Sequence, residues 1–180
     1  MKNKHFDSFF HSNFSKNDTK FILEGEEARH LFVFRPQVGQ VLQVSNGIGL
    51  LAKATIRTIQ KQQIGLEIIP QSLQEFPPPM TTLVIGYLKG KDLEEVVEIA
   101  AQFNLKAIQP VFTKYSQEFS KSNFPKQVKR LRQKSRVCTK QAQKAWETLI
   151  LDPMSLEEYL TLAEGPHCIL DWGSPTTPST

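Results

Sequence analysis

Residues 81–112 read "TTLVIGYLKGKDLEEVVEIAAQFNLKAIQPVF", and the change of period within them decides the fold. "TTLVIGYL" is a continuous apolar run with β-branched residues, the pattern of a strand buried on both faces. Asp92 and Glu95 then form a D-x-x-E pair of the kind that caps a helix. Leu93, Val96, Val97, Ala100 and Phe103 fall on one side of that helix. "AIQPVF" is strand-like again, so these residues make one βαβ unit, which requires a parallel sheet and a right-handed crossover.

Upstream the period is shorter. "FILEG" reads as a strand and "EEARHLF" as a helical turn. "GQVLQVSNGIGLLAKATI" reads as two strands joined at Asn46-Gly47, a dipeptide that tolerates the positive φ of a tight turn. "QIGLEII" supplies another strand. Closely spaced strands with glycine turns point to a small β-barrel. "QEFPPP", residues 74–79, continues neither sheet nor helix and marks the linker. The expected division is therefore 1–72, a β-barrel; 73–81, a proline-rich linker; and 82–180, an α/β domain.

Downstream, "NFPKQVKRLRQKSRVCTKQAQKA" (residues 123–145) holds Lys126, Lys129, Arg130, Arg132, Lys134, Arg136, Lys140 and Lys144 without one acidic residue. Val128, Leu131, Ser135, Cys138, Ala142 and Ala145 recur at steps of three and four, a thin apolar stripe on a basic helix. Like charges four residues apart repel by a few tenths of a kcal/mol. Tolerating several such pairs calls for an external anion, and RNA phosphate is one. A merely solvated face is the bland alternative. Further on, "TLILD" is a strand, Ser155 and Glu158 cap a helix through "SLEEYLTLA", and "HCILDW" is a strand.

The net charge of +4 over 180 residues is mild, so its concentration in one segment is the informative feature. Two cysteines give neither a disulfide framework nor a metal spacing, which fits a reducing cytoplasm. His5 and His11 fall short of a metal-ligand set, and no metal is expected. No apolar run spans a bilayer. No Ser-His-Asp or Cys-His grouping, G-x-G-x-x-G or P-loop occurs, so hydrolase and nucleotide-dependent readings have no support.

The order of segments resembles the RsmE-type methyltransferases, SPOUT-superfamily enzymes that methylate N3 of a uridine in 16S ribosomal RNA. The likeness is carried by "HLFVFRPQVGQVLQVSNGIG", with His30, Arg35, Gly39, Asn46, Gly47 and Gly49 in matching places. It continues through "GYLKGKDLEEVVEIAAQFNLKAIQP", with Lys89, Gly90, Ile108 and Pro110, and loosely through "CTKQAQKA". Gln102-Phe103-Asn104 stands for a glutamate-leucine-glycine triplet, and Thr113-Lys114-Tyr115-Ser116 lacks an arginine. The G-P-E-G-G loop of the trefoil knot does not occur, so the likeness covers the front three quarters of a member.

The resemblance implies a PUA-like barrel followed by a C-terminally incomplete SPOUT domain, a ribosomal RNA substrate on the small subunit, a homodimer and S-adenosylmethionine as cofactor. The alternative is a non-catalytic RNA-binding remnant of the same family. Arg35, Lys89, Lys91, Arg130, Arg132, Lys140, Gln141 and Lys144 are the candidate RNA contacts. For Lys89 and Lys91, phosphate binding and a plain strand-to-helix turn stand level. Leu170, Asp171 and Trp172 are the candidate cofactor contacts, against an ordinary buried strand end. No residue is identified as a catalytic base.

Overall fold

The computed structural model describes residues 8–88, 91–114, 116 and 124–168. Two sheets divide them. The first is mixed and six-stranded, built from β1 (Ser8–Phe10), β2 (Lys20–Leu23), β3 (Val41–Ser45), β4 (Leu50–Ile59), β5 (Ile64–Ile68) and β6 (Gln74–Glu75). Its order is β1-β3-β4-β5-β2, with β6 on β4. Helix α1 (Gly25–Val33) follows β2.

Period-two patterning sets which side of each strand is buried. Leu42 and Val44, then Leu50, Ala52, Ala54 and Ile56, then Ile64, Leu66 and Ile68 alternate into one core. Phe9, Phe14, Leu23 and Leu31 close it. Between β3 and β4 the chain turns through Asn46, whose Oδ1 accepts from the N–H groups of Ile48 (2.9 Å) and Leu50 (3.0 Å). Gly47 and Gly49 supply the positive φ values of this turn.

The second sheet is parallel. Strand β8 (Ala107–Phe112) is flanked by β7 (Thr82–Gly86) on one side, and by β9 (Leu149–Ile150) and β10 (Met154–Ser155) on the other. Helix α2 (Lys91–Gln102) lies between β7 and β8 in the chain, so the βαβ unit is present. Helix α3 (Phe124–Gln141) packs on α2, joining Leu93, Val97, Ala100, Ile108, Val128, Leu131 and Ile150 in a second core. Helix α4 (Leu156–Leu162) begins at Ser155, whose hydroxyl accepts from the Glu158 N–H. No helix among the described residues is long and apolar enough to cross a membrane.

Five expectations need correction. Strand β7 is half-buried along its length, and β8 is the strand buried over most of its length, because within this sheet it is β8 that is paired on both edges among the described residues. Phe103 is 75% exposed. Helix α2 stops at Gln102, and Asn104 at φ 56° redirects the chain, so Leu105 packs on the core in its place. Asp92 sits inside the first turn of α2 rather than ahead of it, where its charge favours the helix dipole. Gln74 and Glu75 do continue the sheet, pairing with Leu51 and Leu50. Of the "HCILDW" segment, His167 and Cys168 are not in a strand, and the rest lies outside the described residues.

Candidate nucleic-acid interface

Helix α3 buries Val128, Leu131, Ser135 and Cys138 as its spacing predicts. Ser135 completes the seating by donating its hydroxyl to the Thr148 carbonyl at 2.5 Å. Burial holds the Cys138 thiol above its ordinary pKa, so it behaves as a small apolar residue.

Most of the cations around this stripe have partners inside the protein. Arg130 pairs with Glu94. Lys134 pairs with Glu98 at 3.0 Å, and that hydrogen bond raises the lysine's pKa above its usual value. Arg132 donates to the Ile150 carbonyl and to Asp152, each at 3.0 Å. Lys140 pairs with Glu27 at 2.9 Å, and Arg136 lies 4.0 Å from the same carboxylate. Five of the seven lysines and arginines of α3 thus face a carboxylate. The like-charge repulsion read from the sequence is answered from within, by α1, α2 and Asp152, two residues beyond β9.

These pairs differ in weight. The Arg130 and Arg132 side chains are more than half exposed, so their pairs contribute about 0–1 kcal/mol and can exchange for phosphate. Lys140 and Glu27 are only 14% and 15% exposed. Lys126 and Lys129 are exposed and make no ion pair among the described residues.

The last turns of α3 form one wall of a cleft of about 760 Å³ between the two halves. Phe10, His11, Ile22 and Glu27 line the opposite wall, facing Gln133, Arg136, Val137 and Lys140. The Arg136 guanidinium stands 5.1 Å from the centre of the Phe10 ring, a cation–π contact. His11 stacks on Phe21 at 4.4 Å, and burial lowers its pKa against the pull of Asp18.

Beside the cleft, a seam fixes the halves to each other. The Gly49 N–H donates to the Ala145 carbonyl and the Glu147 N–H to the Gly47 carbonyl. Ile48 and Trp146 form an antiparallel bridge, and the Trp146 indole donates to the Phe76 carbonyl at 2.9 Å. Burial raises the Glu147 carboxyl above its usual value, while Arg136 and Lys140 pull it back.

Of the residues singled out from the sequence, the structure gathers Arg130, Arg132 and Lys140 on α3, with exposed Gln141 at its end and half-buried Lys144 just beyond. Lys91 is exposed at the start of α2. Arg35 is exposed after α1, on a separate element. Lys89, Leu170, Asp171 and Trp172 lie outside the described residues. Sequence reading missed Glu27, Glu94, Glu98 and Asp152 as partners of α3. One signal was available: Glu94 and Glu98 are four residues apart, as are Arg130 and Lys134.

Residues 75–172 match the family model described as an RNA methyltransferase domain. No curated protein matches the chain. Among solved structures, the chain is similar to a ribosomal RNA small subunit methyltransferase E from Neisseria gonorrhoeae bound to S-adenosylmethionine. The identity is 19%, the TM-score 0.74, and the match covers 87% of this chain and 65% of that one. A Legionella pneumophila protein in complex with its bound cofactor S-adenosylmethionine gives 20% identity and TM-score 0.74, covering 88% and 67%. A predicted RNA methyltransferase from Thermotoga maritima gives 16% and 0.58, covering 82% and 64%. At these identities the likeness shows a shared fold.

Proposed function

The chain belongs to the RNA methyltransferase domain family, and from that premise we propose that it is an RsmE-type enzyme methylating N3 of a uridine in small-subunit ribosomal RNA. The match of residues 75–172 carries this reading, and the shared fold with a small-subunit rRNA methyltransferase supports it. On this reading residues 1–72 are a PUA-like RNA-binding barrel, 73–81 a linker and 82–180 a SPOUT-type domain, working as a homodimer.

S-adenosylmethionine, when bound, supplies an electrophilic methyl group on a sulfonium. The cleft between the halves does not fit it. Glu27 already holds Lys140 and faces Arg136 there. The buried side-chain atoms left without a partner, in Ser8, Gln43, Asn104 and Thr139, are not among its lining residues. The proposed cofactor contacts, Leu170, Asp171 and Trp172, lie outside the described residues, and no step is derived through them.

The described residues serve the RNA. A uracil N3 is hidden in a duplex, so the target base must be unpaired or flipped out while the protein grips the backbone around it. Lys126 and Lys129 offer free charge. The exposed Arg130 and Arg132 can trade their carboxylates for phosphates, with counterion release favouring the exchange. Lys91 at the start of α2, Gln141 at the end of α3 and Lys144 just beyond it are further candidate contacts, and Lys140 holds that end of α3 against α1.

The test is transfer of labelled methyl from S-adenosylmethionine to small-subunit rRNA, with the modified nucleoside identified after digestion. N3-methyluridine is the expected product. RNA binding without transfer leaves the non-catalytic reading, and absence of RNA binding at low salt overturns both.

A further inference from the structure

We propose that Phe34, with Arg35 beside it, is a stacking platform for an unpaired base of the RNA, an inference that rests on the RNA-binding reading above. Helix α1 ends at Val33, and Phe34 caps it with its N–H on the Leu31 carbonyl. Arg35 then takes φ 51°, a left-handed conformation uncommon outside glycine. Its N–H is held by the Phe32 carbonyl at 3.0 Å. The loop beyond is pinned to β4 by Gly39 N–H on the Ile56 carbonyl (2.8 Å) and Ile56 N–H on the Gln40 carbonyl (2.9 Å). The backbone that presents the ring is therefore fixed at both ends.

The ring itself is 49% exposed, between Val33 at 77% and Val38 at 64%. It is not loose. His30 meets it edge-on at 5.2 Å and lies 5.8 Å from the fully buried Phe9. A half-exposed aromatic held from behind costs little to order when a planar base covers it.

Charge argues for RNA as the occupant rather than an apolar protein. Between Glu27 and Glu67 the sequence has no acidic residue, while Arg29, Arg35, Lys53, Arg57 and Lys61 are all basic, and of these Arg57 is paired with Glu67 at 2.5 Å. Of the exposed aromatics, Phe34 is thus set in a cationic stretch that suits a polyanion. Position agrees as well. Glu27, His30 and Phe34 succeed one another along one side of α1, and Glu27 is the residue that holds Lys140. Seven residues of helix set Phe34 about 10 Å beyond that contact, so one strand can run from α3 to the platform.

The experiment compares a single-stranded uridine dodecamer with a duplex of equal length, by fluorescence anisotropy across a salt series. Phe34→Ala and Phe34→Leu are expected to lose roughly 5- to 100-fold in single-strand affinity, with the salt slope unchanged because stacking releases no counterion. Phe34→Trp keeps the affinity, and duplex binding is unaffected by any of them. Arg35→Ala lowers the slope by about one unit. Thermal melts of the Phe34 variants should match the parent, showing that the fold is intact. Parental single-strand affinity in Phe34→Ala overturns the platform alone, as does full rescue by Phe34→Leu, which would mean apolar packing instead of stacking. If the parent binds neither RNA at low salt, the underlying RNA reading falls too.

Discussion

At Gly49 the backbone takes φ 111°, and a Cβ there would stand 2.8 Å from the Trp146 ring and 3.0 Å from the Phe76 carbonyl. Gly49→Ala is expected to cost roughly 1–3 kcal/mol, from backbone strain and overpacking together, read as a lowered urea midpoint. Lys140→Met leaves the shielded Glu27 with the Phe10 N–H and the more distant Arg136, and should cost a similar amount, roughly 1–3 kcal/mol. Glu147 behaves in the opposite sense. Its carboxyl is raised by burial, so folding favours the protonated form. That contribution is complete in acid and is lost as pH climbs through the raised value. Glu147→Gln should therefore be more stable than the parent at about pH 8, with the gain shrinking towards about pH 4. Urea midpoints across that range measure it.

At the scale of elements, α3 gives the sharpest contrast between stripe and charge. Leu131→Ala should cost about 2–5 kcal/mol through the cavity it leaves. Neutralising Arg130 and Arg132 should cost less than about 2 kcal/mol in all, yet lower the salt slope of RNA binding by roughly one to two units. A salt titration beside a thermal melt separates the two effects. The stripe was legible because Val128, Leu131, Ser135 and Cys138 follow the period of a single helix. The ion pairs were not, because Arg130 meets Glu94 only through the way two helices cross. Sequence reading therefore assigned the relief of repulsion to an external anion, whereas Glu27 holds Lys140 from within. Strands β3, β4, β5, β7 and β8 and the caps of α4 could be read from alternation, β-branching and the Ser155–Glu158 spacing. Strand β1 could not, since Phe9 and Phe10 stand among polar residues and find their parallel partners at Val44 and Ser45. The candidate RNA contacts were chosen by charge and resemblance, and pattern alone could not separate the free Lys129 from the paired Arg130.

Across the whole molecule, the seam of Gly47, Gly49, Trp146 and Phe76 makes the two sheets one unit. The parent should unfold in a single transition by fluorescence and circular dichroism alike. Trp146→Ala should split it into two, because each core then loses the other's support; a single transition in the variant would show the seam to be incidental. The same seam bears on the order of events during synthesis. Every strand of the first sheet finds its partner within residues 8–75, so that sheet can close while the rest of the chain is still emerging. Strand β8 cannot pair on its second edge until β9 and β10 arrive about forty residues later, and non-local parallel pairing is slow. The Asn46–Gly49 turn is thus complete, with its Gly49 N–H and Gly47 carbonyl on offer, well before Ala145 and Glu147 are made. It serves as a waiting template on which the second half of the nascent chain docks.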